Sequence, residues 1–146
     1  MDFNTVADEW IEYQSECVKP ITIKRHKELL KKFCSRYGNK DILDITRMDI
    51  KQYVAILAKE GLAKSTIKKY KYSVQLVYEY AIDKEYIKYN PCYKVKIPPN
   101  APVSKREALT DKEIEIVKNN VEKHDLGFYA LFLLYTGCHR SEALAM

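Results

Sequence analysis

The sequence predicts an all-α protein, and three observations support this fold class. Only four glycines occur in 146 residues, and no segment shows the apolar–polar alternation of a strand. Apolar residues instead recur at intervals of three and four, which is the spacing of an amphipathic helix. Glycine, proline and capping residues separate these periodic segments, so each segment has a defined start and end.

The first two predicted helices form the start of a bundle. The first is Thr5–Val18, with Asn4 as N-cap because an Asn side chain can accept a hydrogen bond from a first-turn amide. Its predicted buried face consists of residues at helical spacing: Val6, Trp10, Tyr13 and Cys17. The second is Thr22–Tyr37, which ends at Gly38.

Two further helices complete the predicted bundle. Thr46 followed by Asp49 resembles a capping box and predicts a third helix to about Glu60, which Gly61 ends. A fourth helix is predicted from Lys64 to about Ile82, followed by a short helical tail over residues 83–89. We therefore predict a four-helix domain over residues 1–89.

A linker and a second set of helices follow. Residues 90–108 contain Pro98, Pro99 and Pro102 and little periodicity, which indicates a linker that also carries bases, Lys94, Lys96, Lys105 and Arg106 among them. Thr110 and Glu113 form a capping box, so helices are predicted at 111–121, at 125–135 and from about Arg140.

The charge distribution indicates a polyanionic partner. Residues 1–18 carry a net charge of −5, residues 19–100 carry +11 and residues 101–146 carry −1. Such a basic middle segment favours nucleic acid as partner, although a lysine-rich surface that only contacts water has the same composition. The second and fourth helices each pair an apolar stripe with a basic face.

Those two basic faces supply the candidate DNA-binding residues. Lysines would contact phosphates, and Arg25 has the fork geometry that suits guanine. The predicted set comprises the bases and neighbouring polar residues of the second and fourth helices: Lys24, Arg25, Lys27, Lys64, Ser65, Thr66, Lys68, Lys69, Lys71 and Tyr72.

Other functional classes find no support in the sequence. The four cysteines are scattered without a Cys-x-x-Cys pair, so we expect reduced thiols, no metal site and no cofactor. No apolar run is long enough to span a bilayer, and the acidic N-terminus does not resemble a signal peptide. These features predict a cytoplasmic protein without a membrane partner.

The segment from Tyr135 to Leu144 carries the most specific motif. An apolar run leads into Thr136 and Gly137, and Ser141 and Glu142 follow in the opening turn of the next predicted helix. Gly137 suits the left-handed position that closes a helix. This segment resembles the first active-site motif of the tyrosine recombinases, the phage integrase family, in which Thr-Gly is followed by a catalytic arginine and then by Glu.

The order of the remaining elements strengthens the resemblance. Four helices, an Asn-Pro stop, a basic linker and a Leu-Thr-x-x-Glu helix resemble an integrase over nearly the whole chain. The resemblance implies a SAM-like core-binding domain over residues 1–89, a linker over 90–108, and the start of an incomplete catalytic domain over 109–146. It also implies double-stranded DNA as partner, with other recombinase subunits on the same DNA.

The resemblance implies that this chain lacks a complete catalytic set. The family's first catalytic arginine falls on His139, and Arg140 lies one position later, which on a helix turns the side chain by about 100°. Glu142 keeps its place, whereas the family's second arginine motif and nucleophilic tyrosine come later than Met146. We therefore predict a DNA-binding fragment of a site-specific recombinase that does not cleave DNA alone. The alternatives are a stand-alone helical DNA-binding regulator and a non-functional remnant of an integrase gene.

Overall fold

The protein is all-α in a computed structural model that describes residues 1–103 and 107–145, which confirms the predicted fold class. No strand and no helix long and apolar enough to cross a membrane occurs in these two ranges. The chain divides into two compact units, Met1–Ser104 and Lys105–Met146, which we describe separately.

The first unit contains four helices packed around one apolar core. Their bounds are α1, Phe3–Cys17; α2, Pro20–Tyr37; α3, Arg47–Lys59; and α4, Lys64–Asp83. The ring of Phe33 on α2 lies at the centre, with its centroid 4.7 Å from that of Phe3 and 5.0 Å from that of Tyr53. α4 contacts each of the other three helices, so it is the central element of the unit.

The capping residues explain where α1 and α3 begin. Asp49 accepts a hydrogen bond from the Thr46 amide at 2.7 Å and donates its own amide to the Thr46 hydroxyl at 3.4 Å, which confirms the predicted capping box. The predicted N-cap of α1 is wrong. Asp2, not Asn4, accepts from the Thr5 amide at 2.8 Å, so α1 begins two residues early.

The buried face of α1 is only partly the predicted one. Val6 and Trp10 are buried, but Tyr13 and Cys17 are exposed because the last turns of α1 extend past the core. The additional buried positions lie on the other side of the Val6–Trp10 stripe: Phe3, Ala7 and Ile11. The apolar spacing therefore predicted this helix correctly, but the predicted buried face extends too far towards the C-terminus.

The predicted helical tail over residues 83–89 is also wrong. α4 ends at Asp83, and Glu85 adopts a left-handed backbone conformation with φ of 61°, which a continuing helix cannot contain. The Tyr86 amide then donates back to the Ala81 carbonyl at 2.9 Å. This reversal directs Ile87 into the core, where it is 6% exposed.

Residues 90–102, which we call the strap, pack on the first unit instead of standing apart from it. Asn90 and Cys92 are fully buried, and Val95 and Ala101 are nearly so. The sequence-based boundary at residue 89 thus lies inside the first compact unit. Of the predicted linker bases, Lys94 and Lys96 belong to the strap, whereas Lys105 and Arg106 lie outside the described residues.

The second unit contains three short helices and a 3-10 turn. Their bounds are α5, Asp111–Asn119; the 3-10 turn, Val121–Lys123; α6, Gly127–Thr136; and α7, Arg140–Ala143. The capping box of α5 is confirmed, because Glu113 accepts from the Thr110 amide at 2.7 Å. α6 is rich in apolar residues, yet Phe128 and Tyr135 are 71% and 68% exposed.

A matched pair of leucines tests the core of the first unit. Leu30 is 3% exposed on α2, so Leu30→Ala should lower the free energy of unfolding by about 2–5 kcal/mol. Leu43 is 69% exposed, so Leu43→Ala should change it by less than about 0.5 kcal/mol. Trp10, the single tryptophan, lies in the first unit and provides the fluorescence signal for urea unfolding. Equal effects of the two substitutions would contradict this core.

Candidate nucleic-acid interface

Among the predicted DNA-binding residues, those on the exposed side of α4 form the most basic surface. Ile67, Val74 and Val77 are buried against the other helices, and this packing turns the lysines on the opposite side of α4 outwards. Lys68 and Lys69 are exposed, and Lys64 is half-buried at the start of the helix. Within the described residues, no carboxylate forms an ion pair with any of these three lysines.

A groove, which we call the α4 groove, lies between this side of α4 and the strap. Its lining consists of one wall from α4 and one from the strap: Lys64, Ser65, Lys68, Lys69, Lys71, Tyr72 and Gln75, then Val95, Lys96 and Ile97. Five of these residues are lysines and none is acidic. The structure therefore brings together all the predicted residues of the fourth helix except Thr66.

The predicted residues of α2 do not lie in the α4 groove. Lys27 lines a different groove, between α1 and α2, in which Asp8 and Glu28 also take part. Lys24 and Arg25 are exposed on the first turns of α2. Burial lowers the pKa of His26, and the neighbouring Arg25 guanidinium lowers it further. That Lys24, Arg25 and Lys27 bind DNA stays a prediction.

Two basic residues near α4 were missed by sequence reasoning. Lys32 of α2 lies over the ring of Tyr70 of α4, with its ammonium 5.8 Å from the ring centroid, and it also pairs with Glu60. Lys96 lines the α4 groove from the strap. Helical spacing placed Lys32 on a basic face, but only the fold shows that it reaches α4. The basic composition of the strap was the one available signal for Lys96.

The motif in the second unit forms a tight turn between α6 and α7. Gly137 has φ of 65°, and its amide donates to the Leu133 carbonyl at 3.0 Å, so it closes α6 as the sequence indicated. Glu142 accepts a hydrogen bond from the His139 amide at 2.7 Å and so caps the start of α7. The hydroxyl of Tyr129 donates to the Arg140 carbonyl at 3.1 Å and supports the turn from α6.

The turn places the candidate catalytic residues without completing a site. His139 and Arg140 are both exposed, on successive positions at the start of α7. His139 is the N-cap of α7 and has an extended backbone, with φ of −66° and ψ of 146°, whereas Arg140 is the first helical residue. Arg140 therefore does not occupy the position of His139. In the described ranges no cluster of three His, Cys, Asp or Glu residues is placed to bind a metal ion.

Comparison with known proteins identifies the family. A model of the phage integrase central domain matches residues 3–97, which is more than half of the chain. The chain belongs to the phage integrase family of tyrosine recombinases. The prophage ps2 probable integrase of Lactococcus lactis is 25% identical over 161 residues, and a XerC-like tyrosine recombinase of Caldanaerobacter subterraneus is 29% identical over 136. These matches cover 99% and 88% of this chain but only 40% and 34% of the two relatives.

Solved integrase structures share the fold of the chain. The integrase-like domain from Bacillus cereus aligns with a TM-score of 0.63 and 27% identity, over 75% of this chain and 92% of that one. The Tn1549 transposon integrase, solved in complex with circular intermediate DNA, aligns with a TM-score of 0.77 over 97% of this chain and 48% of that one. At 22% identity, the second likeness concerns the fold alone.

Proposed function

We propose that the first unit binds double-stranded DNA through the α4 groove. The observation that carries this proposal is a concave surface with five lysines and no acidic residue in its lining. Lysine side chains neutralise DNA phosphates and release condensed counterions, which supplies affinity without reading sequence. Family membership supports the same partner, because the Tn1549 integrase of similar fold was solved in complex with DNA.

The two exposed lysines of α4 would make the main phosphate contacts. Lys68 and Lys69 are exposed and have no ion-pair partner among the described residues, so binding a phosphate breaks no existing pair. Tyr72 is 53% exposed beside them and offers an apolar ring and a hydroxyl to the DNA. Arg25 on α2 would supply a bidentate contact to guanine if the duplex extends over the start of that helix.

The role of the chain within a recombinase follows from this contact. We propose that residues 1–89 together with the strap form a core-binding domain, and that residues 109–146 belong to the start of a catalytic domain. The function would be DNA recombination in the cytoplasm, on a site shared with other recombinase subunits. Strand cleavage by this chain alone is not part of the proposal, since His139 lacks the guanidinium that would hold the scissile phosphate.

Charge reversal at the two exposed lysines tests the interface. The double variant Lys68→Glu/Lys69→Glu should weaken binding to a fluorescent duplex by about 100-fold at low salt, since two lost charge-assisted contacts at about 1.5 kcal/mol each amount to about 3 kcal/mol. Fluorescence anisotropy titrations at several salt concentrations measure this effect. The slope of log K against log salt should become less steep by about 0.9 for each lost contact.

A charge-matched control separates the α4 groove from net charge. Lys51 on α3 and Lys88, which follows α4, are exposed on the first unit and outside the groove, so Lys51→Glu/Lys88→Glu makes the same change in total charge. This control should retain affinity within about threefold at about 0.1 M salt, because salt largely screens exposed charges that lie away from the contact. If both double variants weakened binding equally, the α4 groove would not be the DNA surface.

The proposed role on a shared site is tested with a longer duplex. On DNA that carries two copies of the bound sequence, band-shift titration should give two successive complexes. Denaturing gels of the same samples should show no covalent protein–DNA product from this chain alone. A single complex at saturation would contradict the shared site, and a covalent product would contradict the absence of cleavage.

A further inference from the structure

The strap runs back along α4 and is attached to it at three successive places. The Asn90 side chain donates to the Gln75 carbonyl at 3.2 Å, near the C-terminal half of α4. The Lys71 ammonium donates to the Val95 carbonyl at 3.0 Å. The Lys64 amide, in a first turn that no side chain caps, donates to the Pro102 carbonyl at 2.7 Å. The strap is therefore antiparallel to α4 over most of its length.

Lys71 differs from its neighbours in the α4 groove. Lys68 and Lys69 extend into solvent, whereas Lys71 is half-buried and one of its three ammonium hydrogens is held by a main-chain carbonyl. That carbonyl belongs to Val95, which is 4% exposed and follows Lys94, a residue with φ of 60°. A left-handed non-glycine residue carries strain, so the turn before Val95 needs contacts that hold it. The Lys71 bond is such a contact.

The residue after Val95 is the basic residue of the strap wall. Lys96 is exposed and lines the α4 groove together with Val95 and Ile97. Its place in the strap wall depends on the position of the neighbouring Val95 peptide, whose carbonyl accepts the Lys71 hydrogen bond. We propose that Lys71 is a positioning residue that fastens the strap to α4, and that Lys96 is the phosphate contact which the fastened strap presents. This inference rests on the proposed function of the α4 groove.

Lys71 could act by positioning the strap or by contacting a phosphate directly. These two roles predict different DNA affinities when Lys71 and Lys96 are replaced together. If Lys71 acts through Lys96, Lys96→Gln should weaken DNA binding in the wild type but add little once Lys71→Met is present. If Lys71 contacts a phosphate directly, the two effects should add, because independent contacts contribute independently. The slope of log K against log salt gives a second measure. For the Lys71→Met/Lys96→Gln variant, this slope should become less steep by about 0.9 if Lys71 acts through Lys96, and by about 1.8 if both lysines contact phosphates.

Cys92 reports the state of the strap without any DNA. Its side chain is fully buried, and burial raises the pKa of its thiol to about 12, while the nearby Lys71 ammonium acts in the opposite direction. Since the thiolate is the reactive form, removing Lys71 without releasing the strap should slow alkylation. Releasing the strap exposes the Cys92 thiol and should accelerate its alkylation. The direction of the change therefore separates a purely electrostatic effect from strap release.

The experiment uses the full chain and six variants. Three are Lys71→Met, Lys96→Gln and their combination; two are the matched controls Lys68→Met and Lys68→Met/Lys96→Gln; the sixth is Lys71→Arg. Iodoacetamide labelling of each cysteine is followed by peptide mass spectrometry, with exposed Cys17 as internal reference. Lys71→Met should raise the Cys92 rate at least about fivefold relative to Cys17, because opening exposes a fully buried group. Lys68→Met should leave the Cys92 rate unchanged and its effect on DNA affinity should add to that of Lys96→Gln.

The outcomes distinguish this inference from the proposed function. Unchanged or slower Cys92 labelling in Lys71→Met, with additive effects on affinity, would overturn the positioning role while DNA binding stands. If the wild type does not bind duplex DNA, the proposed function fails and the labelling alone still decides the role of Lys71. The variant Lys71→Arg retains donors and charge, so it should preserve Cys92 protection. Trp10 fluorescence verifies that each variant is folded.

Discussion

The orientation of α4 about its own axis is the constraint on which the basic surface depends. Ile67, Val74 and Val77 must face the other helices, because their burial contributes to the large apolar core of the first unit. Successive residues on a helix are about 100° apart, so this burial directs Lys68 and Lys69 away from the core and into solvent. A rotated α4 would bury an unpaired ammonium, which is strongly unfavourable. Core packing and the proposed DNA contact are therefore properties of one rigid helix.

The strap depends on the same helix. Its buried residues pack on the bundle, and its polar attachments satisfy groups that α4 leaves open, including the Lys64 amide at a helix start without a side-chain cap. Fixing the strap in this way turns one exposed helix face into a groove with two walls. A segment rich in proline, which the sequence predicted to be a linker, thus becomes part of the surface that we assign to DNA.

Local signals in the sequence predicted much of this arrangement, although the choice between Asp2 and Asn4 as N-cap of α1 was a local failure. The other main failures were non-local. The capping boxes at Thr46 and Thr110 and the left-handed Gly137 depend on neighbours within a few residues, and the structure confirms them. The lysines of α4 could be grouped because one helix carries them. The buried strap could not be predicted, since the place of Asn90 depends on a carbonyl 15 residues away. Likewise, Lys27 faces the α1 side of α2, which helical spacing within α2 alone does not reveal.

Lysine footprinting tests the central claim most directly. The chain is acetylated briefly with and without saturating duplex DNA, and the modification of each lysine is quantified by mass spectrometry. DNA should protect Lys68, Lys69 and Lys96, whereas Lys51 and Lys88, both exposed on the first unit outside the α4 groove, should react equally in both states. Protection of Lys51 or Lys88 without protection of Lys68 and Lys69 would contradict the α4 groove as the DNA surface.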